Sequence, residues 1–347
     1  MNKILILACC CFTLQSMAQS KSVKIVASKT DNSVAVVIDG KPFTSLIFPD
    51  NLEKPVLYPI VAANGSIVTR GFPIKSRDGE RTDHPHHVGY WLNYESVNGL
   101  DFWNNSYAIP QERKAKFGWI RNLKVGEVKS DNKIGILTYT ANWENQNKDV
   151  LLKEETRFEF SGTENTRTID RITTLTAQKD TVRFKDIKDG MLGLRVTKEL
   201  EFPSDKVEEF TDSHGNITKI QASGNGASGN YLTSEGKKGV AVWATRGTWC
   251  LLSGIKEGSP ISVAIIDHPK NPGYPTYWHA RDYGLFAANP LGQEVFSEGK
   301  EKLNLKLKPG QKVTFRYRML ITTNEQVKPE TLNQQAKEFG QTNSAAR

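Results

Sequence analysis

From residue 33 onward, apolar and polar residues alternate with a period of two, the pattern of strands that bury one face and wet the other. Val34 to Ile38, the turn pair Asp39-Gly40 and Phe43 to Phe48 read as an opening hairpin. Further runs follow at Val56 to Val61, Ile67 to Phe72, Val88 to Tyr94, Phe117 to Val128, Ile134 to Trp143, Leu151 to Phe160 and Thr166 to Thr176. The series continues with Val182 to Ile187, Val196 to Phe202, Val240 to Leu252, Ile261 to Ile266, Leu303 to Leu307 and Val313 to Thr322. Strands this closely spaced, with almost no helical periodicity between them, predict an all-β protein: a large, extended antiparallel β-sandwich. One helix is expected, Pro329 to Phe339, opened by proline and followed by Gly340, as a C-terminal cap on a sheet.

Two stretches interrupt the pattern. Residues 1–18 carry Lys3, an apolar run from Ile4 to Leu14 and then Ser16-Met17-Ala18, the layout of a secretory signal cleaved near Ala18 or Gln19. The run is too short to span a bilayer, and no later segment reaches the required roughly 20 apolar residues. Residues 19–347 are therefore expected to form a single domain in the periplasm or outside the cell, without membrane insertion. The second stretch, Thr211 to Gly239, is rich in Gly, Ser and Asn. Its Gly224-Asn225-Gly226-Ala227-Ser228-Gly229 matches a dinucleotide-binding spacing, but no buried strand precedes it and no helix follows, so a surface loop is expected there.

Composition narrows the chemistry. Cys9, Cys10 and Cys11 leave with the signal, and the remaining Cys250 lies in the apolar run Trp249 to Leu252, which predicts a core thiol and no internal disulfide. The formal charge of +8 falls by one with Lys3 and could favour acidic glycans. Basic and acidic residues nevertheless interleave, as in Lys185, Asp186, Lys188 and Asp189, so these read as solvated surface and no nucleic-acid stripe forms. No Gly-x-Ser-x-Gly occurs, which argues against a serine nucleophile.

The densest chemistry lies in Thr82-Asp83-His84-Pro85-His86-His87-Val88-Gly89-Tyr90-Trp91, with three of the six histidines. Imidazole offers a proton transferable near neutrality or a nitrogen ligand for a transition metal. Asp83 and Glu80 are candidates to fix a histidine tautomer or to act as acid or base; Glu294 and Glu298 are more remote carboxylates. A second segment, Asp267-His268-Pro269 through Trp278-His279-Ala280-Arg281, is a proline- and glycine-stiffened loop that should bring His268, Trp278, His279 and Arg281 to the same rim. Arg70, His86, Trp91, Asn98, Asp101 and Trp103 complete the expected binding set, with His84, His87, His279 and Asp83 as the proton-handling groups. Aromatic faces beside hydroxyl-binding polar groups are the composition of a ligand cleft. For each of these residues a structural role, a core tryptophan or an ion-paired arginine, is the alternative.

Several of these motifs resemble the secreted bacterial PmoA-like family: Lys54-Pro55-Val56-Leu57-Tyr58-Pro59, Val68-Thr69-Arg70, Asp83 to His87 with Gly89 and Trp91, Val97 to Trp103, Asp267-His268-Pro269 through Trp278-His279, and Tyr283 to Pro290. Val88 departs from it, since members carry arginine there. The resemblance implies an exported protein with a galactose-mutarotase-like supersandwich, not a methane monooxygenase, which is a many-helix membrane protein. In such sites histidine and a carboxylate exchange protons around a bound sugar without metal or other cofactor. The leading expectation is thus a protein acting on a small sugar or oligosaccharide. The alternatives are a metal-dependent enzyme, with His84, His86 or His87 joined by His279 or Asp101, and a non-catalytic glycan-binding protein.

Overall fold

The computed structural model describes residues 22–342 apart from 29, 205–206, 212–216 and 221–225. Residues 1–21 and, within the glycine-rich stretch, 212–216 and 221–225, including Gly224 and Asn225, lie outside the described residues; the remainder of that stretch, expected as a loop, contains the strands Ile217–Ile220 and Asn230–Thr233. The fold is mostly β, built from large antiparallel sheets with one C-terminal helix, as the alternation predicts.

The strongest alternation makes an eight-stranded sheet. Its long members Gly135–Glu144, Val150–Gly162, Thr166–Ala177 and Lys312–Thr323 turn every second side chain inward, and Trp119–Lys129, Asn230–Thr233, Trp249–Lys256 and Ser259–Asp267 complete it. Phe158, Phe160, Ile169, Phe315, Met319 and Ile321 are its inward residues. Its opposite face is covered by the helix Pro329–Gln341, whose Leu332 and Phe339 pack on Trp249, Leu251, Ala264 and Ile266. Cys250 is fully buried in the main core.

The second sheet has nine strands. From one edge it runs Val23–Ala27, Ser33–Ile38, Lys41–Ile47, Val56–Ile60, Tyr90–Tyr94, Gly190–Arg195, Leu285–Asn289, Tyr277–Ala280 and Thr245–Arg246. The opening hairpin turns at Asp39 and Gly40, both at positive φ (52° and 75°), where glycine carries no steric penalty. The four strands from Tyr90–Tyr94 to Tyr277–Ala280 are buried on both faces. One face meets the eight-stranded sheet through Leu92, Leu192, Ala288 and Trp278; the other is roofed by loops and carries a separate cluster of Tyr58, Trp91, Trp103, Leu285 and Ala287.

Of the expected strands, Val182 to Ile187 shrinks to Val182–Arg183, Val240 to Leu252 divides into the 3-10 turn Gly239–Val242 and the strands Thr245–Arg246 and Trp249–Lys256, and three more are not formed as such. Ile67 to Phe72 makes only isolated bridges, Val196 to Phe202 contains the 3-10 turn Lys198–Leu200, and Leu303 to Leu307 shrinks to Lys306–Leu307. Each lies where the chain leaves a sheet, so its backbone groups pair with loops: Thr197 N–H donates to Val68 O, and Phe184 N–H to Leu305 O.

Candidate functional site

Cross-strand register decides what the roofed face presents. Trp91 pairs with Gly193, Gly193 with Ala287 and Ala287 with His279, so these four residues form one row pointing away from the core. The Trp91 indole covers Gly193, and the small Ala287 separates it from the strand of His279. A β-carbon at 193 would collide with the Trp91 ring, so glycine is what lets the indole lie across the neighbouring strand.

Above that row sits the loop 81–87, shaped by Arg70. Its guanidinium is buried and donates to the carbonyls of Arg81, Asp83, His84 and His87 and to Asp83 Oδ1, at 2.8–3.3 Å. Arg70, placed in the expected binding set with an ion-paired structural role as the alternative, is therefore spent on holding the histidine loop closed. His84 sits at positive φ (45°), a strained position for a side-chain-bearing residue, and that backbone turn brings its ring over its neighbours.

The imidazoles form a stack. His84 is parallel to His87 on one side (4.9 Å, 3°) and to Tyr283 on the other (5.1 Å, 4°). His87 continues onto Trp91 (5.4 Å, 21°), with Trp103 edge-on at 5.9 Å. His86 packs edge-on against His84 and His87, and its carbonyl accepts a 2.7 Å hydrogen bond from the buried Lys54 ammonium. Burial pushes Lys54 down to about 8, against the raising pull of Glu53 and Asp101.

Hydrogen-bond partners give the rings different protonation. An Arg195 N–H lies 3.2 Å from His87 Nδ1, and because a guanidinium only donates, Nδ1 must accept, which leaves the proton of the neutral ring on Nε2. Burial holds His87 well below the usual imidazole range, with the nearby histidine and arginine charges adding to it. His84 Nδ1 instead lies 2.9 Å from Asp83 Oδ2, an approach oblique to the ring N–H, so attraction of charge favours a proton on Nδ1 and a lone pair on Nε2.

Asp83 is a fixed anion. Burial would raise its carboxyl, but Arg195 (3.0 Å), His84 and Arg70 (2.9 Å) hold it far below the usual carboxylate range. Of the two roles open to Asp83 in the sequence, fixing a histidine tautomer fits this setting and carrying a proton does not.

The opposite wall carries His279, Asp189 and Glu95. His279 Nδ1 is buried without a hydrogen-bond partner, 3.5 Å from Asp189 Oδ1. Burial, reinforced by the charges of Lys188 and Arg281, pushes the ring down to about 3. Glu95 lies against Asp189; burial first, then the charges of Asp189 and Asp101, raises its carboxyl to about 7, so a proton resides on this pair near neutrality. Asp189 and His279 lie within electrostatic range of His84, so the two walls share one neighbourhood.

The remaining expected residues divide. Asp101 accepts from Asn104 N and Nδ2 (both 2.9 Å) and braces the loop that carries Trp103. Asn98 is committed to a turn: its amide donates to Thr181 O and accepts from Arg183 N, so it does not face the cleft. Trp278 points the other way, into the core against Phe286, because it shares the row of Leu192 and Ala288. His268 sits on the other sheet, edge-on to Phe339 of the C-terminal helix, with Nδ1 accepting from Lys270 N. The shared rim of the two proline-stiffened loops is thus half realised: the His279 end reaches the histidine stack and the His268 end does not. Arg281 lies over the rings of Tyr283 (5.5 Å), which stacks on His84, and Trp243 (5.9 Å). Trp91 and Trp103 are fully buried supports for the histidines, not an exposed platform.

Residues absent from the expected set are Arg195, Glu95, Asp189, Lys54 and Tyr283. Arg195 carried a signal, a lone charge ending the apolar run Met191 to Leu194; Asp189 was hidden in a run of alternating charges that reads as solvated surface. Among the described residues, no three His, Cys, Asp or Glu side chains are placed to hold a metal ion. The histidines of residues 84–87 pack ring against ring instead of converging their nitrogens. No described helix is long and apolar enough to cross a membrane.

The sequence model of a family of unknown function, DUF6807, matches residues 33–337. This corrects the resemblance drawn from the His84, Trp103 and His279 segments: the match is to DUF6807 and not to a PmoA-like family. No curated protein matches the sequence. Among solved structures, the chain is similar to the GH36 alpha-galactosidase AgaB of Geobacillus stearothermophilus (TM-score 0.39, 8% identity), covering 87% of this chain and 41% of that one. It is also similar to a putative aldose 1-epimerase of Escherichia coli K12 (0.34, 11%, covering 88% and 100%). A galactose mutarotase-like protein of Clostridium acetobutylicum gives 0.33 at 9% identity, covering 87% and 98%. The chain thus spans about two fifths of the alpha-galactosidase, and the likeness concerns fold alone.

Proposed function

The chain belongs to DUF6807, a family of unknown function, and we propose that it is a sugar-active protein working by metal-free proton transfer in the cleft between the histidine stack and the Glu95–Asp189 pair. The observation that carries this reading is the division of labour between neighbouring groups. His84, 40% exposed and with Asp83 beside Nδ1, presents Nε2 as a proton acceptor. His87 presents an Nε2–H donor, and Glu95 holds a transferable proton near neutral pH. An acceptor, a fixed donor and a protonated carboxyl suit removal of a proton from one oxygen of a polyhydroxylated ring while another oxygen gains one. Asp83, Arg70 and Arg195 orient the imidazoles. The partnerless, buried Trp91 Nε1 and His279 Nδ1 are the kind of polar atoms a hydroxylated ligand or bound water satisfies. Export to the periplasm or beyond, proposed from residues 1–18, would place the site among extracellular glycans.

The test is proton NMR of a panel of free aldoses and short oligosaccharides incubated with the protein, with and without EDTA. Conversion that survives the chelator and falls by about 10²–10⁴-fold in His84→Asn is the expected result. Conversion abolished by EDTA would establish the metal-dependent alternative. Saturable binding without turnover, insensitive to His84→Asn, would leave a glycan-binding protein.

A further inference from the structure

Arg281 differs from every other arginine at the cleft. Arg70 and Arg195 are buried, Arg70 held by the carbonyls of the 81–87 loop and by Asp83, Arg195 by Asp83 and His87, and Arg81 is paired with Glu201 at 2.8 Å. Lys188, a cation on that wall, is paired with Asp189 at 3.6 Å. Arg281 has no carboxylate or carbonyl partner for its guanidinium among the described residues, yet it is not a loose surface side chain. It lies over two aromatic rings, Tyr283 at 5.5 Å and Trp243 at 5.9 Å.

Its position follows from the fold. Arg281 comes two residues after His279, at the end of the strand Tyr277–Ala280, and its N–H donates to Leu285 O where that strand turns back. Tyr283, at the tip of the turn, stacks on His84. A continuous path of rings therefore leads from the proposed proton acceptor through Tyr283 to the guanidinium. Trp243, 38% exposed, extends it outward as an open apolar face.

Resting on the sugar-active reading, we propose that this protein recognises acidic sugars, with the carboxylate of a uronic acid residue held by Arg281 and the pyranose ring lying against Trp243. A planar fork with free N–H groups matches a carboxylate in bidentate geometry, and an indole beside it offers the apolar face that a sugar ring covers. A neutral hexose would leave the guanidinium unanswered. The acidic residues of the cleft do not compete: Asp83 is neutralised by Arg70 and Arg195, and Asp189 faces Lys188.

The test is calorimetric titration with D-galacturonate and D-glucuronate beside D-galactose and D-glucose, at low and high salt. Uronates should bind about tenfold or more tightly than their neutral counterparts, with the preference shrinking at high salt. Arg281→Gln should abolish the difference between the two classes, and Arg281→Lys should restore only part of it. Neutral sugars binding as well as uronates to the unaltered protein would overturn the acidic-sugar assignment and leave the sugar-active reading standing. A preference that persists in Arg281→Gln would equally overturn the role of Arg281. Binding of neither class would sink both.

Discussion

His84 and His87 lie with their rings parallel, 3° apart in plane and 4.9 Å between centroids, while their Nδ1 atoms face opposite charges: the Asp83 carboxylate for His84 and the Arg195 guanidinium for His87. Two identical side chains three residues apart are thereby assigned opposite tautomers by their partners. Nothing in the imidazoles themselves distinguishes them; a buried arginine from one strand and an aspartate from the loop do.

That assignment is directly measurable. In ¹⁵N NMR of histidine-labelled protein, His87 should show an unprotonated Nδ1 and a protonated Nε2, and the neutral His84 ring should show the reverse. His87 should also stay neutral well below pH 6.5, because burial opposes its charge. The same tautomer at both rings would remove the basis for distinct acceptor and donor roles.

Arg195 is the shared counter-ion of the cluster, 3.0 Å from Asp83, 3.7 Å from Glu201 and in contact with His87. Replacing it by methionine preserves bulk but leaves two buried carboxylates short of a partner. The expected loss is about 3–5 kcal/mol in urea denaturation. A loss below about 1 kcal/mol would show that Arg70 and Arg81 suffice.

Acid stability should report His279. Its folded-state pKa, about 3, lies below the ordinary 6.5, so the folded ring stays neutral while the unfolded chain takes up a proton. Stability linked to this group is complete above pH 6.5 and declines as pH falls toward 3. Glu95 acts with the opposite sign: raised from 4.5 to about 7, it favours the fold most below pH 4.5 and loses that contribution as pH rises to 7. Urea midpoints against pH should show a shallower acid decline in His279→Gln and a shallower neutral-side decline in Glu95→Gln.

Gly193 gives the fourth test. A methyl group there meets the Trp91 indole, which supports His87. Gly193→Ala should lower stability by about 1–3 kcal/mol. It should also perturb the tryptophan fluorescence and the His87 NMR signals, whereas Gly99→Ala, where a β-carbon meets open space, should leave the indole and imidazole signals in place.

The alternating strands of the eight-stranded sheet were legible because one face is drier than the other; Val150–Gly162 and Lys312–Thr323 show the period over most of their length. The strands that build the cleft were not. Gly190–Arg195, Tyr277–Ala280 and Leu285–Asn289 are buried on both sides, so no period of two marks them, and prolines and glycines around Tyr277 disguise the strand as loop.

Local sequence was enough to determine the all-β class, the terminal helix and the clustering of three histidines beside Asp83, since periodicity, capping and proximity along the chain are short-range properties. Only the tertiary structure decided that His279 joins them while His268 braces a distant helix, that Trp278 turns inward, and that Glu95, Asp189 and Arg195 belong to the site. Those outcomes depend on cross-strand register and on which of two faces each residue takes, and both are set by packing between segments up to two hundred residues apart.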